Sequence, residues 1–249
     1  MSNSRTDMSP WLEIELKLGL PGENAWNWVR NSLGPGHVVE QVNHFFDGPD
    51  RMLQKRRIGV RLRSEISREA STTRLLSVKS DPSQHDAGPL SKRLEMESVL
   101  DSRDFDRAIQ RGLSLDQWLP DWRRITPTEI PEHQALGELL DVLESANEAG
   151  PLECYARFAN RREHLPFRCT DSEGPLEIEI ELDRTEFPGG RVDFEIEVER
   201  TSERDESMQR THRALVQWLE TNGGIRPFSV KSKLARLNSL LGDSLLTEE

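Results

Sequence analysis

Apolar side chains return at every second position in seven short stretches, 13–18, 59–63, 75–79, 93–99, 156–162, 176–182 and 192–199. Alternation of that period predicts β-strands with one apolar and one polar face. Spacings of three and four predict helices over 24–33, 102–111, 132–145, 207–222 and 232–241, the fourth ended by Asn222, Gly223 and Gly224. The Ser-, Asp-, Pro- and Gly-rich stretch 80–88 predicts a hairpin loop, and Pro188, Gly189 and Gly190 a turn between two charged strands. Residues 113–150 break the strand pattern with Trp118, Pro120, Trp122, Pro127 and Pro131 ahead of a helix, which predicts a helical insertion whose tryptophans serve packing. The polar ends 1–9 and 243–249 read as tails on a single domain over 10–242.

The residues that fill the polar positions change the picture. Glu13, Glu15 and Lys17 alternate with Ile14, Leu16 and Leu18, and Arg61 and Arg63 with Val60 and Leu62. Arg93, Glu95 and Glu97, then Glu177, Glu179, Glu181 and Asp183, then Glu195, Glu197 and Glu199 repeat the design on three later strands. One such strand is ordinary for a sheet with a wet outer face. Five of them, several nearly pure in sign, set like charges side by side, which weakens pairing unless something offsets it. Metal ions bridging the carboxylates and a polyanion neutralising the cations would do so. Mg2+ binds through a few carboxylates together with substrate phosphates, and a triphosphate supplies the missing negative charge. Turned inward, the ionic faces make a closed barrel into a charged tunnel, with the apolar faces outward beneath helices.

Composition narrows the partners. The 249 residues carry 33 Lys and Arg against 44 Asp and Glu, a formal charge of −11, which argues against duplex nucleic acid because that binding rests on phosphate neutralisation. Cys154 and Cys169 form no CxxC pair and follow no signal peptide, so both read as ordinary thiols of a cytoplasmic protein. The chain has no run of about eighteen apolar residues, as a membrane span requires. Oligomeric state is not legible.

The order of the motifs is more specific than any one of them. Glu13-Ile14-Glu15-Leu16-Lys17 precedes Phe45-Phe46-Asp47, Val60-Arg61-Leu62-Arg63, Val78-Lys79 and Arg93-Leu94-Glu95-Met96-Glu97. Leu182-Asp183, Phe194-Glu195-Ile196-Glu197 and Ser232-Lys233-Leu234-Ala235-Arg236 follow. This series, opening on an ExExK pentapeptide, resembles the CYTH domains, or triphosphate tunnel metalloenzymes, from Leu12 to about Leu237. The resemblance implies an α+β fold, an eight-stranded antiparallel β-barrel with helices packed outside. It implies Mg2+ or Mn2+ ligands among Glu13, Glu15, Glu95, Glu97, Glu181, Asp183, Glu195 and Glu197, with Glu13, Glu15, Lys17 and Glu197 at the reacting centre. Lys17, Arg61, Arg63, Lys79, Arg93, Lys233 and Arg236 are the implied triphosphate-binding cations. Arg161 or Arg162 takes the place of a further family arginine, Arg162 fitting slightly better, and Glu181 and Asp183 compete for one acidic position.

Phe46 stands where the family often has Tyr, which removes a hydroxyl able to touch substrate; nearby His44 reads as a packed or exposed histidine before a substitute for it. The implied activity is metal-dependent hydrolysis of inorganic tripolyphosphate. The alternatives are a thiamine triphosphatase, a nucleoside triphosphatase, a class IV adenylate cyclase, and a non-catalytic module for polyphosphate or RNA 5′-triphosphate ends. The full acidic set favours catalysis, and so many unmatched interior charges would be costly in a purely structural barrel.

Overall fold

Strands β1 (Trp11–Gly19), β2 (His37–Asp47), β3 (Ile58–Ser67), β4 (Thr72–Ser80), β5 (Leu90–Val99), β6 (Glu153–Asp171), β7 (Gly174–Glu186) and β8 (Val192–Arg200) pair antiparallel. They close into a barrel in the order β1-β5-β4-β3-β2-β6-β7-β8. The computed structural model describes residues 11–48, 50–69, 71–80, 89–124, 133–200 and 205–245. Seven helices accompany the barrel among these residues: α1 (Glu23–Leu33), α2 (Met52–Lys55), α3 (Ser102–Arg111), α4 (Leu119–Arg124), α5 (His133–Glu148), α6 (Asp205–Gly223) and α7 (Lys233–Leu245). The expected tail 1–9 and most of the expected 80–88 loop lie outside the described residues, as do Pro127 and Pro131.

The eighth strand, β2, escaped the alternation for a physical reason. Its outward positions Glu40 and Val42 are exposed, and its inward positions Gln41 and Asn43 are uncharged. Neither face has a uniform character. Strand β6 continues well past the expected end at 162 despite Pro166. Pairing of β2 with β6 stops at His37 opposite His164, so Pro166 has a strand partner only in Glu179 of β7, an edge position where proline is tolerated. Because β8 pairs with β7 only from Glu181 to Glu186, the far part of β6 and β7 is a two-stranded ribbon that leaves the barrel. Glu177 and Glu179 therefore belong to the ribbon and not to the tunnel; they are exposed and meet Arg168 at 2.6 Å and His164 at 3.0 Å.

The apolar faces point outward, as expected. Leu62, Leu76, Leu94 and Met96 pack beneath α3, α4 and α5 with Trp118, Trp122, Leu136 and Leu140. Across the barrel, Leu16, Leu18, Ile180 and Ile196 pack beneath α1 and α6 with Trp26, Leu215 and Leu219. Each large side chain so buried contributes about 1.5–3 kcal/mol, and these two outer layers support an interior that holds few apolar groups. The insertion tryptophans are packing residues, Trp122 being wholly buried.

A third apolar cluster, Phe45, Phe158, Phe187 and Leu237, seats α7 on one end of the barrel. The segment leading to it bonds Phe228 to Gly19 through the backbone. A Cβ at Gly19 would lie 2.5 Å from the Phe228 ring, and one at Gly59 would lie 2.8 Å from Leu234. Both glycines let the α7 end close. Helix α7 runs to Leu245, past the end expected at 241. Cys154 and Cys169 are free thiols, and among the described residues no helix is long and apolar enough to cross a membrane.

Candidate active site in the barrel lumen

Strand parity decides what the barrel contains. Glu13, Glu15 and Lys17 from β1, Arg61 and Arg63 from β3, Lys79 from β4, and Arg93, Glu95 and Glu97 from β5 line one cavity of about 700 Å3. Arg162 from β6, Glu197 and Glu199 from β8 and Lys233 from α7 line it too, with Arg57 and Lys231. Asp183 and Glu195 lie just behind, both buried, and Glu181 and Arg236 reach the same network. The rows expected to converge do converge.

They do so by pairing directly, which corrects the expectation of unmatched interior charge. Lys79 contacts Glu13 at 2.8 Å and Glu95 at 3.0 Å. Arg93 meets Glu15 and lies 3.4 Å from Glu13, and Lys17 joins Glu15 to Glu197, the latter at 2.6 Å. The Arg162 guanidinium forks onto Asp183 at 2.9 and 2.7 Å and also touches Glu197 and Glu181. Lys233 bridges Asp183 at 2.7 Å, Glu197 at 2.8 Å and Glu195, while Arg236 holds Glu195 at 2.7 Å. Arg63 pairs with Glu65 at 3.0 Å and Glu97 at 3.3 Å.

Arg61 is the exception. Among the described residues it has no carboxylate in ion-pair contact, and its Nε donates to Ser77 Oγ at 3.0 Å. Burial and the neighbouring Arg63 charge push it down to about 10, against the more distant Glu95 and Glu97. It remains a cation at neutral pH without a partner of its own.

Two groups of carboxylates bring oxygens within 4.8 Å of one another: Glu13, Glu95 and Glu199, and Asp183, Glu195 and Glu197. Glu15, Glu97 and Glu181, expected among the metal ligands, belong to neither and are held by Lys17 and Arg93, by Arg63 and by Arg162. Glu199 was not among the expected ligands, although it shares the parity of Glu195 and Glu197; the alternation carried it where the motif stopped short. The choice between the two arginines resolves to Arg162, since Arg161 points outward to Glu40 at 2.8 Å and Glu163 at 3.1 Å. Both Glu181 and Asp183 face Arg162, with Asp183 the fully buried one. Phe46 is buried in the outer core and Phe45 faces the lumen, so a hydroxyl at position 46 would not reach the cavity. His44 also lies on the outer side, its ring edge-on to Phe105, and burial lowers its pKa.

The local electrostatics suit a hard cation. Burial by itself would raise the Glu13 carboxyl, but Lys79 and Arg93 overcome this and hold it at about 2. Burial likewise opposes ionisation of Glu197, yet Lys17, Lys233 and Arg162 keep it well below the usual carboxylate range. Burial and the Glu13 charge push Glu199 up to about 7. Among the described residues, the buried Oε2 of Glu13 accepts no hydrogen bond. Oxygen-only donor sets with a lone pair to spare fit Mg2+ or Mn2+ in chemistry.

Comparison with known proteins places this geometry. An adenylyl cyclase candidate from Hippeastrum, described as having a dominant triphosphatase activity, is 26% identical, with a TM-score of 0.67 over 91% of this chain and 95% of its own. An adenylate cyclase candidate from Bacillus halodurans shares the fold at 20% identity, TM-score 0.58, over 92% of this chain and 98% of its own. The PH1819 protein of Pyrococcus horikoshii does so at 18% identity, TM-score 0.52, over 91% and 98%. A search of curated proteins returns no match. The CYTH domain model matches residues 12–220, and with eight strands closed around one charged lumen, the chain belongs to the CYTH family.

Proposed function

We propose that the lumen binds the phosphate chain of a triphosphate and, with divalent metal, hydrolyses one of its phosphoanhydride bonds, inorganic tripolyphosphate being the preferred substrate. The observation that carries this reading is Arg61, a half-buried guanidinium with no carboxylate partner among the described residues, set among cations whose own partners are metal-type carboxylates. With a divalent ion held by these carboxylates, Lys79, Arg93, Lys17 and Lys233 would be free to pair with phosphate oxygens, so that the buried charges would stay compensated.

A cation on Glu13, Glu95 and Glu199, or on Asp183, Glu195 and Glu197, would supply Lewis-acid stabilisation to phosphoryl oxygens and acidify a water. The chain's own residues do the rest. Arg61 and Arg63 hold the phosphates, a role suited to the planar guanidinium. Lys17 keeps its proton despite burial because Glu197 and Glu195 raise its pKa, so it can donate to a phosphoryl oxygen as negative charge develops. Water adds to a terminal phosphorus, the bridging P–O bond breaks, and orthophosphate and pyrophosphate leave. Positioning and charge stabilisation supply most of the acceleration in such reactions.

Tripolyphosphate is favoured because nothing beyond the lumen's charges is needed to bind it. The 26%-identical Hippeastrum protein, with its dominant triphosphatase activity, supports hydrolysis over cyclisation. The test is phosphate release from tripolyphosphate, thiamine triphosphate, ATP and long-chain polyphosphate with Mg2+ and with Mn2+, alongside cyclic AMP formation from ATP. Fastest release from tripolyphosphate, dependent on metal, is the expected result. Cyclic AMP as the main product, or turnover insensitive to chelation, would contradict the reading.

A further inference from the structure

One stretch of the inner wall is uncharged. Gln41 of β2, Asn160 of β6 and Thr185 of β7 point inward and are 5%, 2% and 0% exposed. Each stands directly opposite the next, Thr185 facing Asn160, Asn160 facing Gln41, and Gln41 facing Glu65 of β3. Four neighbouring strands thus give one side chain each to a single line. The Thr185 hydroxyl donates to Asn160 Oδ1 at 2.8 Å, the Asn160 amide to Gln41 Oε1 at 3.0 Å, and the Gln41 amide to Glu65 Oε1 at 2.9 Å. The same Glu65 oxygen lies 3.0 Å from Nε of Arg63.

The direction of the line follows from its last member. A carboxylate only accepts, so Gln41 must turn its NH2 to Glu65 and its carbonyl to Asn160, Asn160 must answer with its own NH2, and the Thr185 hydroxyl is left to donate. Asp193, opposite Thr185 on β8, is held by Arg236 at 2.8 Å and Arg191 at 2.9 Å. Reversing one amide would set like groups face to face in a buried place, leaving them unsatisfied, and bonds in such a chain strengthen one another. Glu65 itself is half-buried on a long side chain. The Gln41 amide is what fixes its oxygen beside Arg63.

We infer that Gln41, Asn160 and Thr185 are positioning residues for phosphate binding: acting through Glu65, they hold the Arg63 guanidinium where the phosphate chain meets it. This rests on the triphosphate reading and adds to it three uncharged residues that tune one of its cations. Thr185 carries the test, because it is wholly buried behind the cavity lining and does not reach substrate. Thr185→Val removes the hydroxyl and keeps the shape, and Thr185→Ser keeps the hydroxyl.

The experiment measures kcat and KM of the full chain for inorganic tripolyphosphate with Mg2+ in the wild type, Thr185→Val, Thr185→Ser, Gln41→Leu, Arg63→Ala and the Thr185→Val, Arg63→Ala double variant. Alongside, the arginine Nε–H signals are recorded by NMR, that of Arg63 being identified by its loss in Arg63→Ala. Thr185→Val and Gln41→Leu are each expected to raise KM about fivefold, within the coupling range of residues that share one network, with kcat near the wild-type value and the Arg63 signal displaced. Thr185→Ser keeps the wild-type KM and signal, and Thr185→Val has no further effect once Arg63 is gone. A Thr185→Val variant with wild-type KM and an unmoved Arg63 signal, or one that raises KM equally with and without Arg63, would overturn the positioning role and leave the triphosphate reading standing. Absence of tripolyphosphate turnover in the wild type would overturn both.

Discussion

The two carboxylate groups in the lumen meet the cost of burial by different means. Asp183, Glu195 and Glu197 are all buried and are reached by four cations, Lys17, Arg162, Lys233 and Arg236. Glu13, Glu95 and Glu199 share only Lys79 and Arg93, and among the described residues no cation is in ion-pair contact with Glu199. The contrast shows in their titration, Glu197 being held well below the carboxylate range and Glu199 pushed up to about 7. Three acids against four bases make a self-sufficient structural node. Three acids against two leave a deficit that an added divalent ion relieves, which makes the Glu13 group the stronger candidate for first occupancy.

The sharpest way to break this comparison is to remove one acid from each group. Asp183→Asn leaves Arg162 and Lys233 buried with less compensation, and is expected to cost about 3–5 kcal/mol of stability, read by urea denaturation. Glu13→Gln is expected to fold normally and to lower metal-dependent kcat by about 100-fold or more, since loss of even an outer-shell partner costs 10–100-fold. Equal destabilisation by both variants would erase the distinction. Arg61→Ala tests the phosphate side: loss of a charge-assisted contact is worth about 1.5–3 kcal/mol, so KM for tripolyphosphate rises about tenfold or more.

The smallest expected effect concerns Glu199. Its carboxyl is raised from 4.5 to about 7 in the fold, so between those values the folded protein holds a proton that the unfolded chain has lost. Stability then falls as pH rises through that window and levels off above it. Glu199→Gln should flatten this segment of the metal-free stability profile, and an unchanged profile would show that the charge is already compensated.

The inner face was the legible part of this molecule. Glu13, Arg61, Lys79 and Glu197 sit in strands whose alternation fixed their side of the sheet before any partner was known. The pairing of those charges was not legible, because which lysine meets which glutamate depends on register and barrel closure, and neither leaves a mark within a single strand. Strand β2 was missed because its outward positions mix exposed Glu40 and Val42 with buried Phe46, and the true end of β6 was hidden by Pro166, which sits where β2 has already ended.

The most direct test is a crystal structure of the protein soaked with Mn2+ and tripolyphosphate, with manganese located by its anomalous signal. Manganese is expected among Glu13, Glu95 and Glu199, with the phosphate chain inside the barrel against Arg61. Manganese and phosphate bound only on the outer surface, with the lumen's ion pairs undisturbed, would contradict the tunnel as the place of chemistry.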